Sequence, residues 1–159
     1  MITAKDEAVR FRVLERFRLR IKTKAPTGAG SYTKGVVLLV GEQTSHPEEN
    51  KYHAPFCSIK GCSGWLNAKL EEAEIPEQEL FWINALDNDG TEMDLRKIYD
   101  DLEPRQVLAL GNVARDQLQK FGISHGMVPH PQYWKRFKHR EPYPLITVLK
   151  EITNKGWAC

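Results

Sequence analysis

The chain has 159 residues, 41% of them apolar and 28% charged, with a formal net charge of +2. That length suits one domain with a sizeable core, and no apolar run approaches the roughly 20 residues that a bilayer span requires. With no apolar leader-like segment near the N-terminus, and three cysteines (Cys57, Cys62, Cys159) that cannot all pair within one chain, a reduced cytoplasmic setting, no membrane and a monomer are expected.

The charge is unevenly spread. Residues 1–24 hold eight Lys/Arg against three Asp/Glu, and residues 25–159 hold fifteen against eighteen. A basic arm over 1–33, helix plus loop, therefore precedes a mildly acidic body over 34–159. Such an arm can bind phosphates through counterion release, or it is simply a solvated surface. Val9, Val13 and Phe17 sit four apart as on a helix face, whereas Phe17–Lys22 alternates as an edge strand would. The reading favoured is a helix through about Phe17 with a short extended piece after it. Ala25–Tyr32, rich in Gly, Pro and small residues, reads as a loop.

Val36–Val40 is a short β-branched run stopped by Gly41, as in a buried parallel strand. A long polar loop with His46-Pro47 runs to about Ala54. Ser63 is placed to cap a helix whose apolar face is Trp65, Leu66, Leu70 and Ala73. Glu79–Ala85 reads as the next strand, Asp87–Gly90 as a turn, and Asp94–Leu102 as a short helix ended by Pro104. Gln106–Leu110 is a third strand, and Gly111-Asn112 turns into a helix carrying Val113, Leu118 and Phe121. Met127–Pro129 is a short strand or strand end, and Leu145–Ile152 a terminal helix. Strand and helix alternate, which predicts an α/β fold: a three-layer α/β/α sandwich with a mainly parallel central sheet of about four strands. Ligands bind such sheets at the carboxyl ends of their strands. Glu42, Asn84 and His130 fall at those ends.

Four segments in order resemble the uracil-DNA glycosylase superfamily, closest to its small microbial branch: GEQTS (Gly41–Ser45), PFCSIKGCSGWLN (Pro55–Asn67), FWINALD (Phe81–Asp87) and HPQYWKRF (His130–Phe137). VLALGNVARDQL (Val107–Leu118) is similar to that family's strand, glycine turn and helix. The resemblance covers roughly residues 34–150, and agreement in order and spacing over four motifs is more specific than any one alone.

The resemblance implies roles for individual residues. Glu42 would activate or orient water and stabilise a developing oxocarbenium ion. Gln43 would contact the base, Phe56 would stack on it, and Asn84 would read its edge with a carboxamide. His130, as a neutral imidazole, would stabilise charge on the leaving base. Tyr133, Trp134, Lys135, Arg136 and Lys138, an interleaved aromatic and basic loop, would contact DNA. Each residue type also has an ordinary use: Glu42 as a strand-end glutamate, Phe56 in a core, Asn84 as a turn former, His130 in a plain loop, and the 133–140 stretch as a solvated surface. The first motif departs from the family's GEAPG, losing a proline and a glycine. The three cysteines do not supply the four thiolates of an iron–sulfur cluster, and the histidines lack zinc spacing, so no cofactor and no metal are expected.

The function expected is hydrolysis of the N-glycosidic bond of uracil or a modified pyrimidine in single- or double-stranded DNA, with base flipping in a duplex, as in DNA repair. Two alternatives stand beside it: a catalytically altered glycosylase-fold module that binds DNA, and an enzyme acting on a free (modified) pyrimidine nucleotide.

Overall fold

The computed structural model describes residues 3–43, 52–58 and 61–157. In chain order it contains α1 (Ala4–Lys22), β1 (Ala29–Gly30), β2 (Val37–Gly41), α2 (Gly61–Glu72), a 3-10 turn (Glu77–Glu79), β3 (Leu80–Asn84), α3 (Leu95–Leu102), β4 (Gln106–Leu110), α4 (Asn112–Lys120), β5 (Gly126–Val128), α5 (Pro131–Phe137) and α6 (Pro144–Trp157). The strands form one five-stranded sheet in the order β1-β3-β2-β4-β5. β3, β2, β4 and β5 run parallel, and β1 lies antiparallel on the β3 edge. This is the expected α/β fold with one strand more than the sequence indicated. The extra strand is two residues of the glycine-rich loop, too short to leave a hydrophobic pattern.

Alternation along each strand builds the layers. Leu38, Val40, Phe81, Ile83, Val107 and Ala109 face one side, against Leu95, Ile98 and Leu102 of α3 and Ala114 and Leu118 of α4. Val37, Leu39, Leu80, Trp82, Leu108 and Leu110 face the other, against Leu66 and Leu70 of α2 and Leu145 and Leu149 of α6. β2 and β3 are buried along their whole length, as central strands covered on both faces must be. Among the described residues, no helix is long and apolar enough to cross a membrane.

The N-terminal helix resolves the conflict between two periods in favour of 3.6. Thr3 and Asp6 close a capping box at its start, two otherwise orphaned donors are thereby met, and the helix runs on to Lys22. The alternation of Phe17–Lys22 is not a strand: Leu19 is buried while Arg18 and Ile21 are exposed. The stretch expected as a basic arm lies along the body, with Arg12 and Arg16 buried beside Val9 and Val13. Ser63 also departs from expectation. It sits inside α2, where its hydroxyl accepts from the Ser58 N–H and donates to the Ser58 carbonyl, each at 2.8 Å. It fastens the preceding loop to the helix instead of capping it.

Candidate active site

Strand order places the site. The chain leaves β2 for β3 on one side and later returns to β4 on the other, so the carboxyl ends of β2 and β4 flank the point where connections diverge. Crevices at such points receive ligands in open α/β sheets. Gly41 ends β2 with Glu42 just after it, Asn84 ends β3, Gly111 follows β4 and His130 stands two residues beyond β5.

Two glycines let these strand ends close together. A Cβ on Gly41 would lie 2.6 Å from Cβ of Pro55 and 2.8 Å from Oδ1 of Asn84, so the absent side chain lets the Pro55 loop and the Asn84 carboxamide cross β2. Gly111 has φ +108, and a Cβ there would lie 2.9 Å from Oε1 of Glu42 and 3.4 Å from Cδ2 of His130. Glu42 and His130 therefore flank one point above the end of β4.

Hydrogen bonds fix the strand ends and loops that carry these residues. The Leu86 N–H donates to the Glu42 carbonyl at 3.0 Å, and the Asn84 N–H donates to the His53 carbonyl at 2.8 Å. Asn84 is buried. Pro129 is held by the Tyr143 hydroxyl, which donates to its carbonyl at 2.5 Å; Tyr143 is packed between Trp65 and Trp134, and burial pushes its hydroxyl pKa up. His130 caps α5, its Nδ1 accepting the Gln132 N–H at 3.1 Å. A nitrogen that accepts cannot carry the proton, so the neutral ring is protonated at Nε2. Burial holds the His130 pKa below its ordinary 6.5, while the charge of Glu42 pulls in the opposite direction. The ring is thus neutral at neutral pH and keeps an Nε2–H to donate.

Phe56 completes the group. Its ring lies 5.7 Å from that of His130 and 6.3 Å, edge to face, from that of Trp82. Its backbone is left-handed, with φ +58, a conformation that costs a bulky residue energy and marks functional sites when the surroundings enforce it. The enforcement comes from two donors on the Phe56 carbonyl, Nη1 of Arg16 and Nδ2 of Asn67, each at 2.8 Å.

Glu42, Phe56, Asn84 and His130 are thus brought together. Gln43 is exposed, and its Nε2 donates to the Asn88 carbonyl at 3.3 Å, which directs it toward the loop after β3. Thr44 and Ser45, the rest of the first motif, lie outside the described residues, as does His46-Pro47. The residues after His130 form α5, not the expected loop, because His130 and Pro131 supply a cap and a preset first helical residue. Trp134 is turned inward: its Nε1–H donates to the Glu141 carbonyl at 3.0 Å and its ring packs on Tyr143. Tyr133 and Phe137 are exposed and pack against each other, their tilted rings 5.1 Å apart, beside exposed Lys135, Arg136 and Lys138. Among the described residues no three His, Cys, Asp or Glu side chains gather as a metal would need. Cys57 and Cys62 are free thiols whose pKa values burial raises.

Arg16, Asn67, Glu77 and Trp82 do not stand out in the sequence as site residues. One signal is available: Arg12 and Arg16 share a helical stripe with Val9 and Val13, where a solvated arginine would be out of place. The chain matches no model of a known protein family and no curated protein.

Proposed function

We propose that the chain hydrolyses the N-glycosidic bond of uracil or a modified pyrimidine in DNA. The observation that carries this reading is the meeting of Glu42 and His130 at one point beside the Phe56 ring, with the His130 proton on Nε2. In this mechanism the base stacks on Phe56 and offers its edge to Asn84. As the C1′–N1 bond lengthens, the His130 Nε2–H donates to the base carbonyl that gathers negative charge. The Glu42 carboxylate stabilises the cationic sugar, orients the water that adds to C1′ and accepts its proton, while the electrons of the C1′–N1 bond leave with the base anion. A neutral imidazole suits the task, since it stabilises the leaving anion without an acid strong enough to be titrated at neutral pH. The exposed Tyr133, Phe137, Lys135, Arg136 and Lys138 supply a basic and aromatic surface beside the site for a DNA strand.

A second reading, an enzyme on a free pyrimidine nucleotide, is favoured by one observation: Trp134 is tied into the packing of Tyr143, so it does not project as a wedge for a duplex. Base release from oligonucleotides with one uracil, one modified pyrimidine or only normal bases tests both. The first reading expects release that Glu42→Ala and His130→Ala each lower about 10²–10³-fold, the usual effect of deleting a group that stabilises transition-state charge. Release from a mononucleotide alone, insensitive to salt, selects the second. DNA binding without release in either assay rejects both and leaves a binding module.

A further inference from the structure

We infer that Arg16, on the N-terminal helix, is a positioning residue that sets the Phe56 ring against His130. The inference about stacking rests on the reading above; the geometry of Phe56 does not. A left-handed phenylalanine must be held by its surroundings, and the Phe56 carbonyl accepts from Arg16 and Asn67 together. Arg16 is completely buried. Its Nη2 donates to Oδ1 of Asn67 at 2.7 Å and its Nε to Oε1 of Glu77 at 3.0 Å. Its guanidinium lies 4.2 Å from the centre of the Trp82 ring. Glu77 in turn accepts from Nε1 of Trp82 at 3.1 Å, and Trp82 backs the Phe56 ring edge to face. The cluster therefore fixes the Phe56 peptide from one side and its ring from another.

Arginine is required for this. One planar fork serves Glu77, Asn67 and the Phe56 carbonyl at once, which a lysine ammonium on its flexible stem does not reproduce. An ion pair serving only the fold would need Glu77 and nothing more. Arg12 already supplies Glu77 with a second cation, its Nε 3.1 Å from Oε1, so Glu77 keeps a partner when Arg16 is replaced.

The test uses the full chain with Arg16→Lys and Arg16→Met. The readout is the nuclear Overhauser effect between the Phe56 and His130 rings, with the methyl spectrum of the two core layers as the control for folding. Both variants are expected to abolish this ring-to-ring effect while the core spectrum is retained. A merely structural ion pair predicts rescue by lysine, so a folded Arg16→Lys in which the effect persists overturns the inference; this variant decides the matter if Arg16→Met does not fold. Base release from a single-uracil oligonucleotide is measured alongside. Loss of stacking should raise KM on the order of tenfold, with kcat changed less. A missing ring-to-ring effect with KM unchanged would leave the role of Arg16 standing and remove stacking from the proposed function.

Discussion

Phe56 and His130 meet at the site, their rings 5.7 Å apart and tilted, yet they are held by opposite means. The Phe56 side is fixed by buried charge from far along the chain: Arg16 and Glu77 are 61 residues apart and Arg16 and Phe56 are 40 apart. The His130 side is fixed by neutral, nearby contacts, Gln132 two residues on and Tyr143 reaching Pro129 over 14. Removing one partner of a buried charge is costly, so the first wall should lose stability in one step when Arg16 is replaced. The second carries the titratable ring and should respond to pH by degrees.

The sharpest break is Arg16→Ala. Removing one member of a buried ion pair costs about 3–5 kcal/mol because the remaining charge is left desolvated. The low end is expected here, as Arg12 still pairs with Glu77. Urea unfolding measures it, and a loss below about 1 kcal/mol would mean that the charged wall adds no more to stability than a surface ion pair does.

Gly111→Ala strikes between the two walls. Its φ of +108 is open to glycine alone, and the added carbon would meet Glu42 and His130. A loss of about 1–3 kcal/mol is expected, and the proposed mechanism expects slower base release as well, because Glu42 is pushed aside. Activity unchanged at reduced stability would separate the turn from the site.

The His130 side should be sensitive to acid. Its pKa is lower in the folded chain than the ordinary 6.5, so between those two values the unfolded chain binds more protons and stability rises with pH. The contribution is complete above about 6.5 and is lost as pH falls below it toward the folded value. Protonation also puts a hydrogen on Nδ1 and breaks the cap of α5. His130→Asn, which keeps a capping acceptor without a titrating group, should flatten this part of the stability–pH curve. An identical curve in that variant would assign the acid sensitivity elsewhere.

The same contrast accounts for what the sequence could tell. Val36–Val40, Glu79–Ala85 and Gln106–Leu110 are legible as strands because a strand buried on both faces is a local apolar run, and their bounds shift by a residue at most at either end. Gly41-Glu42, Asn84 and His130 follow from that, as residues at strand ends. The helix after His130 is hidden although His-Pro is a start signal, since interleaved aromatic and basic residues obscure helical periodicity. The Arg16 cluster cannot be read at all as a cluster. Its members stand on α1, α2, the 3-10 turn and β3, and only the packing of the N-terminal helix on the body joins them. A count of basic residues in 1–24 makes that helix look like an arm for phosphates, whereas two of its arginines lie inside the fold.

The exposed cations of α5 offer the gentlest test. Lys135 and Arg136 are solvated, so Lys135→Ala and Arg136→Ala should each change stability by less than about 0.5 kcal/mol. If they meet phosphates, each should weaken oligonucleotide binding at low salt and lower the slope of log K against log salt by about 1. Gln43→Ala, on the opposite rim and hydrogen-bonded to Asn88, should leave that slope unchanged. A slope unaffected by all three substitutions would remove the α5 surface from the path of a DNA strand. It would also favour the second reading, in which the substrate is a free nucleotide.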